Sequence, residues 1–138
     1  MARTIEDAQH EAAHVVVGVA LGLRLFSASI GRTIERDGES AGTTVWYPKP
    51  WPREADLIMT AAGVAWERHC GDLANASYDL NDLRRAGVKG NARIRVLERA
   101  AWALLMSRPE MHARVTRALL EGPFTEADVR AMARARLK

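Results

Sequence analysis

Two histidines and a glutamate near the N-terminus have the types and spacing of a metal-dependent hydrolytic site. The stretch His10-Glu11-Ala12-Ala13-His14 has the pattern HExxH. Histidines four residues apart project from one face of a helix, so both imidazoles can bind one zinc ion. The glutamate beside them can act as general base on a zinc-bound water and pass the proton to a leaving amine. The alternative is a pair of surface histidines on an exposed helix face.

A catalytic zinc also needs a third protein ligand. The remaining histidines, His69 and His112, do not follow the motif at the spacing of an extended HExxHxxGxxH site. Glu67 on a following helix is one candidate, and the better one lies in the stretch Tyr78–Leu83. Asp82 also fits the first turn of a helix that has Asp79 as its N-cap, and both interpretations of Asp82 stay open at this point.

The elements that must position these residues are predicted from periodicity, caps and breakers. Prolines 48, 50 and 52 should end the second strand, because proline cannot continue a ladder. The sequence predicts a helix over 5–21, strands near 25–30 and 42–47 joined by a turn at 36–40, a helix over 53–70, a loop over 71–77, and helices from 79 past 85, over 94–106, over 110–120 and from 125 onward.

Composition restricts the class of protein. The 138 residues fit one mostly α (α+β) domain with a small N-terminal hairpin and a C-terminal helical bundle. Cys70 is the single cysteine, so no intrachain disulfide can form, and we expect a reducing compartment and a small core residue there. No signal-peptide core and no membrane-spanning run is seen. We expect a cytoplasmic protein.

Charge is divided unevenly along the chain. Residues 1–83, the expected metal-site half, carry 7 Lys/Arg and 12 Asp/Glu, whereas residues 84–138 carry 13 and 5. A basic half can indicate an acidic partner or nucleic acid, or only an exposed arginine-rich helical face. No finger spacing, aromatic-interleaved basic strand or docking motif is present, so nucleic-acid binding is not expected.

Several motifs occur in the order of a known family. The chain resembles the zincin-like peptidase domain of the FtsH-type membrane AAA proteases over nearly its whole length. The family has an HEAGH helix, a G-x-T hairpin followed by proline, a GGRAAEE-like helix and an S-N-D-L motif whose aspartate is the third zinc ligand. The matching stretches are His10–His14, Ala41–Thr44 with Pro48, Ala62–Glu67, Asn81–Leu83, Ala118–Glu121 and Phe124–Val129.

The resemblance implies a zinc metallopeptidase with ligands His10, His14 and Asp82 and the base Glu11. The 138 residues contain no AAA module and no membrane anchor, so the expected substrates are peptides or unfolded segments, with a partner able to supply the unfoldase. The resemblance leaves the oligomeric state open. The alternative is a non-catalytic or regulatory zinc-binding module.

Further residues have more local roles in this interpretation. We expect Glu67, and also Asp79, to hold the ligands from outside, because metal-bound histidines donate their second N–H. The alternative for Glu67 is a charge on the surface of its helix. The hairpin edge can accept a peptide as an added strand. We expect Trp46 and Trp51 to pack over the hairpin. The alternative is that they line a substrate groove together with Thr43 and Thr44.

Overall fold

A computed structural model of the chain describes residues 4–35, 38–48, 50–71, 73 and 76–136. Over these residues it confirms the predicted mostly helical α+β fold. The elements are α1 (Thr4–Ala20), β1 (Leu25–Glu35), β2 (Gly38–Trp46), α2 (Arg53–Cys70), α3 (Ala76–Arg85), α4 (Asn91–Met106), α5 (Pro109–Glu121), β3 (Phe124–Thr125) and α6 (Glu126–Arg136).

Helix α1 lies at the centre of the fold and carries the HExxH motif. It packs against α2, α5 and the hairpin, and Ala12, Val15 and Val16 are fully buried. A helix with so wide an apolar surface is stable only where other elements cover it. The motif is buried with the helix, so the alternative of surface histidines on an exposed face is wrong.

The hairpin is confirmed and is longer than predicted. Strand β1 continues past Ile30 to Glu35, and β2 begins at Gly38 rather than Gly42. Residues 38–40 of the expected turn therefore belong to β2, and residues 36–37 lie outside the described residues. A third strand, β3, was not predicted, because two residues are too short to show a periodicity. It pairs antiparallel with β1, which gives the order β2-β1-β3.

Helix α2 has the predicted bounds and joins α1 to the C-terminal helices. It ends at Gly71, which adopts the left-handed conformation (φ 82°) and donates its N–H to the carbonyls of Glu67 and Arg68. On α4, the side chain of Glu98 is buried and accepts two hydrogen bonds from Arg68, one of them 3.1 Å long. This charged pair ties α2 to α4.

Helix α3 begins three residues before the predicted start at Asp79. Ala76 is fully buried and donates its N–H to the Leu73 carbonyl. Leu83 is also fully buried, in a second core between α2, α3 and α4. Because these two apolar residues set the limits and rotation of α3, Asp79 lies inside the helix rather than at its N-cap.

The C-terminal helices share the main core with the N-terminal half. Leu105 of α4 and Val115 of α5 pack with residues of α1 and the sheet in one buried cluster. Thr125 donates its N–H and its hydroxyl to Asp128 Oδ2, at 2.8 and 3.1 Å, which caps α6 where the sequence predicts a helix start. Within the described ranges, no helix is long and apolar enough to cross a membrane.

Candidate metal centre

The two motif histidines present their Nε2 atoms to the same point. His10 and His14 lie on successive turns of α1, are 4% and 6% exposed, and have their Nε2 atoms 3.3 Å apart. The rings are nearly perpendicular, with an interplanar angle of 73°. The i, i+4 spacing on a buried helix therefore brings both imidazoles together, as the sequence predicts.

Asp79 supplies a carboxylate oxygen at that point. Its Oδ2 lies 2.8 Å from His10 Nε2 and 3.2 Å from His14 Nε2, and its side chain is largely buried. Among the described residues, His10, His14 and Asp79 form the group of side chains whose ligand atoms are close enough to share a metal ion. Asp79 was expected to act from outside the ligand set.

Asp82, the expected third ligand, lies outside this group, and the carboxylate beside the two histidines is that of Asp79 instead. The Asp82 side chain is 43% exposed, and its Oδ1 is 3.7 Å from Arg85 Nη1. Three residues along a helix mean a rise of about 4.5 Å and a direction about 60° away, which takes the carboxylate out of the site. The sequence held one signal for this, because Ser77 precedes Asp79 by two residues, as in the S-N-D-L pattern, whereas Leu80 precedes Asp82.

Each of the two histidines has an acceptor atom close to its second ring nitrogen. His14 Nδ1 lies 2.8 Å from the Met59 carbonyl oxygen, and His10 Nδ1 lies 3.2 Å from Glu67 Oε2. Glu67 is buried on α2, so it has the position expected of an outer acceptor. Partners of this kind fix the tautomer that leaves Nε2 free to bind a metal.

A glycine on α2 leaves room for the cluster. A Cβ at Gly63 would lie 2.5 Å from His10 Nε2 and 2.8 Å from Asp79 Oδ2, which is closer than such atoms approach in proteins. Gly63 belongs to the stretch 62–67 that carries the family resemblance. The lack of a side chain at this position is therefore a requirement of the site rather than of the helix, because glycine weakens a helix interior.

Charge interactions within the cluster oppose the effect of burial. Burial alone would lower the pKa of His10, but its contacts with Asp79 and Glu67 raise that pKa well above the ordinary value. The pKa of His14 is likewise raised by Asp79 against the effect of burial. Burial alone would raise the pKa of Asp79, but the charge of His14 and the hydrogen bonds from both histidines hold it below its usual range.

The donor set fits zinc, and two of its three spacings do as well. Bonds of 2.0–2.1 Å in a tetrahedral site place two ligand atoms about 3.3–3.4 Å apart. The His10–His14 and His14–Asp79 separations are 3.3 and 3.2 Å, whereas His10 Nε2 and Asp79 Oδ2 lie at a hydrogen-bond distance of 2.8 Å. Two imidazoles and one carboxylate would leave a fourth tetrahedral position of a bound zinc open, as in catalytic sites.

Glu11 lies beside these ligand atoms and is 6% exposed. Its Oε2 is 3.8 Å from His10 Nε2, and its Oε1 accepts a 2.8 Å hydrogen bond from the Thr44 hydroxyl. The neighbouring Thr43 is exposed. Trp46, expected to pack over the hairpin or to line a groove, packs its ring over Gly18 of α1. Trp51 donates its indole N–H to the Tyr47 carbonyl.

The remaining candidate residues lie outside the cluster. His69 is exposed and stacks on Trp102 with a centroid distance of 3.6 Å. Cys70 is exposed rather than in the core, because it is the last residue of α2 and faces away from the packed side. His112 is buried on α5 against the ring of Trp66, and its Nε2 donates to the Gln9 carbonyl.

No protein-family model, no curated protein sequence and no solved structure matches this chain. The resemblance to the FtsH-type peptidase domain therefore stays a prediction from the motifs.

Proposed function

We propose that this chain is a zinc-dependent peptidase that cleaves peptides or unfolded protein segments. The observation that carries the proposal is the convergence of His10 Nε2, His14 Nε2 and Asp79 Oδ2, with the Glu11 carboxylate beside them. Burying charged groups is costly unless they are paired or bind a metal, and in the metal-free protein Asp79 is paired with both imidazoles. A bound metal would take over that pairing, and the Glu11 carboxylate beside it has the position of a general base.

Each residue has a role that follows from its position. Zinc, when bound, acidifies a water molecule and polarises a substrate carbonyl group. His10, His14 and Asp79 would hold the ion. Glu11 Oε2 faces the same point without belonging to the ligand set, so it can accept a proton from an attacking water and deliver it to the leaving amine. Glu67 and the Met59 carbonyl would fix the orientation of the two imidazole rings.

The surroundings of the site favour an extended substrate. The site residues are buried, and a folded protein surface does not reach into such a position. Strand β2, which brings Thr44 to Glu11, is an outer strand of the sheet formed by the described residues. An extended peptide can pair with an outer strand. A separate unfoldase that delivers such segments, and a cytoplasmic location suited to the single cysteine, belong to the same proposal.

The test compares the zinc-loaded parent protein with its Glu11→Gln variant on an unfolded, fluorophore-quenched protein substrate. We expect both to hold about one zinc per chain and the variant to lose about 100- to 10,000-fold in cleavage rate, the usual contribution of a general base. Glu110→Gln, the same change at an exposed position of α5, should keep the parent rate. Equal rates for Glu11→Gln and the parent would remove Glu11 from catalysis.

The same experiment distinguishes the non-catalytic zinc-binding module. That alternative predicts one zinc per chain and higher thermal stability with zinc, but no cleavage product with any unfolded substrate. A defined product that disappears in Glu11→Gln and with a chelator would exclude it.

A further inference from the structure

The catalytic base has a specific hydrogen-bond partner on the neighbouring strand. The hydroxyl of Thr44 donates to Oε1 of Glu11 over 2.8 Å. Glu11 is almost fully buried and Thr44 is half-buried. An ionised carboxylate only accepts hydrogen bonds, so the hydroxyl proton must point toward Glu11 when the base is charged.

The hairpin holds this hydroxyl in place. Thr44 pairs with Ala28 of β1, which is fully buried in the main core. Two residues earlier on β2, a Cβ at Gly42 would lie 2.5 Å from Glu11 Cγ and 2.9 Å from its Cδ. The backbone of β2 therefore runs directly against the Glu11 side chain. Since threonine is β-branched, its side-chain rotamer is also restricted, and the donor has little freedom to move.

The contact makes the two carboxylate oxygens of Glu11 inequivalent. Rotation of a carboxylate about its last torsion is broad and roughly two-fold, so the group has no strong orientation of its own. Oε1 is bonded to Thr44, and Oε2 is the oxygen near His10 Nε2 at 3.8 Å. Holding one oxygen on the strand directs the other toward the metal ligands.

We propose that Thr44 is a positioning residue that orients the general base Glu11, and not a residue that contacts substrate in a groove. The inference rests on the proposed peptidase function. The Thr44 hydroxyl should affect kcat, because the orientation of the Glu11 carboxylate is needed in the step in which Glu11 accepts a proton. It should have little effect on substrate binding.

The test uses two variants of Thr44 in the zinc-loaded protein. Thr44→Val keeps the shape and the β-branch but removes the donor, whereas Thr44→Ser keeps the donor. A hydrogen bond to a charged group lost from the transition state lowers kcat by about 10- to 100-fold, so we expect that loss in Thr44→Val. We expect KM and zinc content to be unchanged, and Thr44→Ser to stay close to the parent. Thr116→Val, the same change at a buried position of α5, is the matched control.

A second readout does not require activity. We expect Thr44→Val to lower the melting temperature of the metal-free protein, and to lower it less in a Glu11→Ala background where the bond has no acceptor. An unchanged kcat in Thr44→Val, or an equal loss in Thr44→Val and Thr44→Ser, overturns the proposal, as does the absence of thermal coupling. If the two substitutions show thermal coupling but the zinc-loaded parent cleaves no substrate, the Thr44–Glu11 contact is supported. The peptidase function is then refuted instead.

Discussion

The substitution Gly63→Ala tests the geometry of the metal centre with the addition of a single methyl group. Gly63 lies inside α2, where alanine is the better helix former by about 1 kcal/mol, so the helix itself should gain from the change. The new Cβ would lie 2.4 Å from His10 Cε1, 2.5 Å from its Nε2 and 2.8 Å from Asp79 Oδ2. Helix propensity therefore predicts that Gly63→Ala stabilises the protein, whereas the site geometry predicts that it destabilises the protein.

The required displacement follows from these distances. Ordinary van der Waals contact begins at about 3.4 Å, so His10 Nε2 must move by about 0.9 Å (3.4 − 2.5) and Asp79 Oδ2 by about 0.6 Å (3.4 − 2.8). Metal sites keep their ligand distances within about 0.2 Å. Two of the three ligand atoms would thus leave the range that zinc tolerates. We expect zinc affinity to fall by at least about 100-fold, since disturbing an outer partner alone costs 10–100-fold.

The assay is competition for zinc against a chromophoric chelator, together with thermal unfolding of the metal-free protein. Overpacking at a buried position costs about 1–3 kcal/mol, and contacts as short as 2.4 Å put this change at the upper end of that range. The cost exceeds the gain of about 1 kcal/mol in helix propensity, so the metal-free variant should melt below the parent. Gly122→Ala is the control, because a Cβ there meets nothing within 4 Å. If Gly63→Ala bound zinc as tightly as the parent and melted no lower, the ligand positions described here would be wrong.

Three further predictions use the same protein. Asp79→Asn should lose zinc on purification while Asp82→Asn keeps about one equivalent, and elemental analysis giving the reverse would restore Asp82 as the ligand. Zinc binding to the metal-free protein should release protons, because the pKa values of His10 and His14 are raised in that state and metal ligands must be deprotonated. Titration calorimetry in buffers of different ionisation enthalpy measures the number of protons released. A binding enthalpy that does not depend on the buffer near neutral pH would contradict the prediction. Burial lowers the pKa of His112 below the unfolded value of about 6.5. The contribution of His112 to the free energy of unfolding is therefore complete above that pH and is lost as the pH falls toward the folded-state pKa. Chemical denaturation should show a smaller loss of unfolding free energy between pH 7 and 5 for His112→Gln than for the parent.

The part of the site that sequence could predict is the part contained in one helix. His10, Glu11 and His14 are separated by less than two turns, so local periodicity alone fixes which of them share a face. The bounds of α2 could also be predicted from the sequence, because Pro52 and Gly71 mark its two ends. For such elements the sequence contains all the physical terms that decide the outcome.

The third ligand depended on information that local patterns do not contain. Whether Asp79 or Asp82 faces α1 is set by the rotation of α3, and that rotation follows from the burial of Ala76 and Leu83 against other helices. The contact between Thr44 and Glu11 depends in the same way on the register of the hairpin. A shift by one residue would turn Thr44 to the other face of the sheet.

The division of the proposed ligands between α1 and α3 would make a bound zinc ion a cross-link within the fold. His14 and Asp79 are 65 residues apart in sequence, and α2, which lies between them, holds the imidazoles from the other side. An unfolded chain cannot present all three ligand atoms at once, so a bound ion stabilises only the assembled protein. Free zinc at 1,000 times its Kd would add about 4 kcal/mol, a sizeable fraction of the stability of a typical domain. The supply of zinc would then control how long the protein survives other proteases, as well as whether it can act as one.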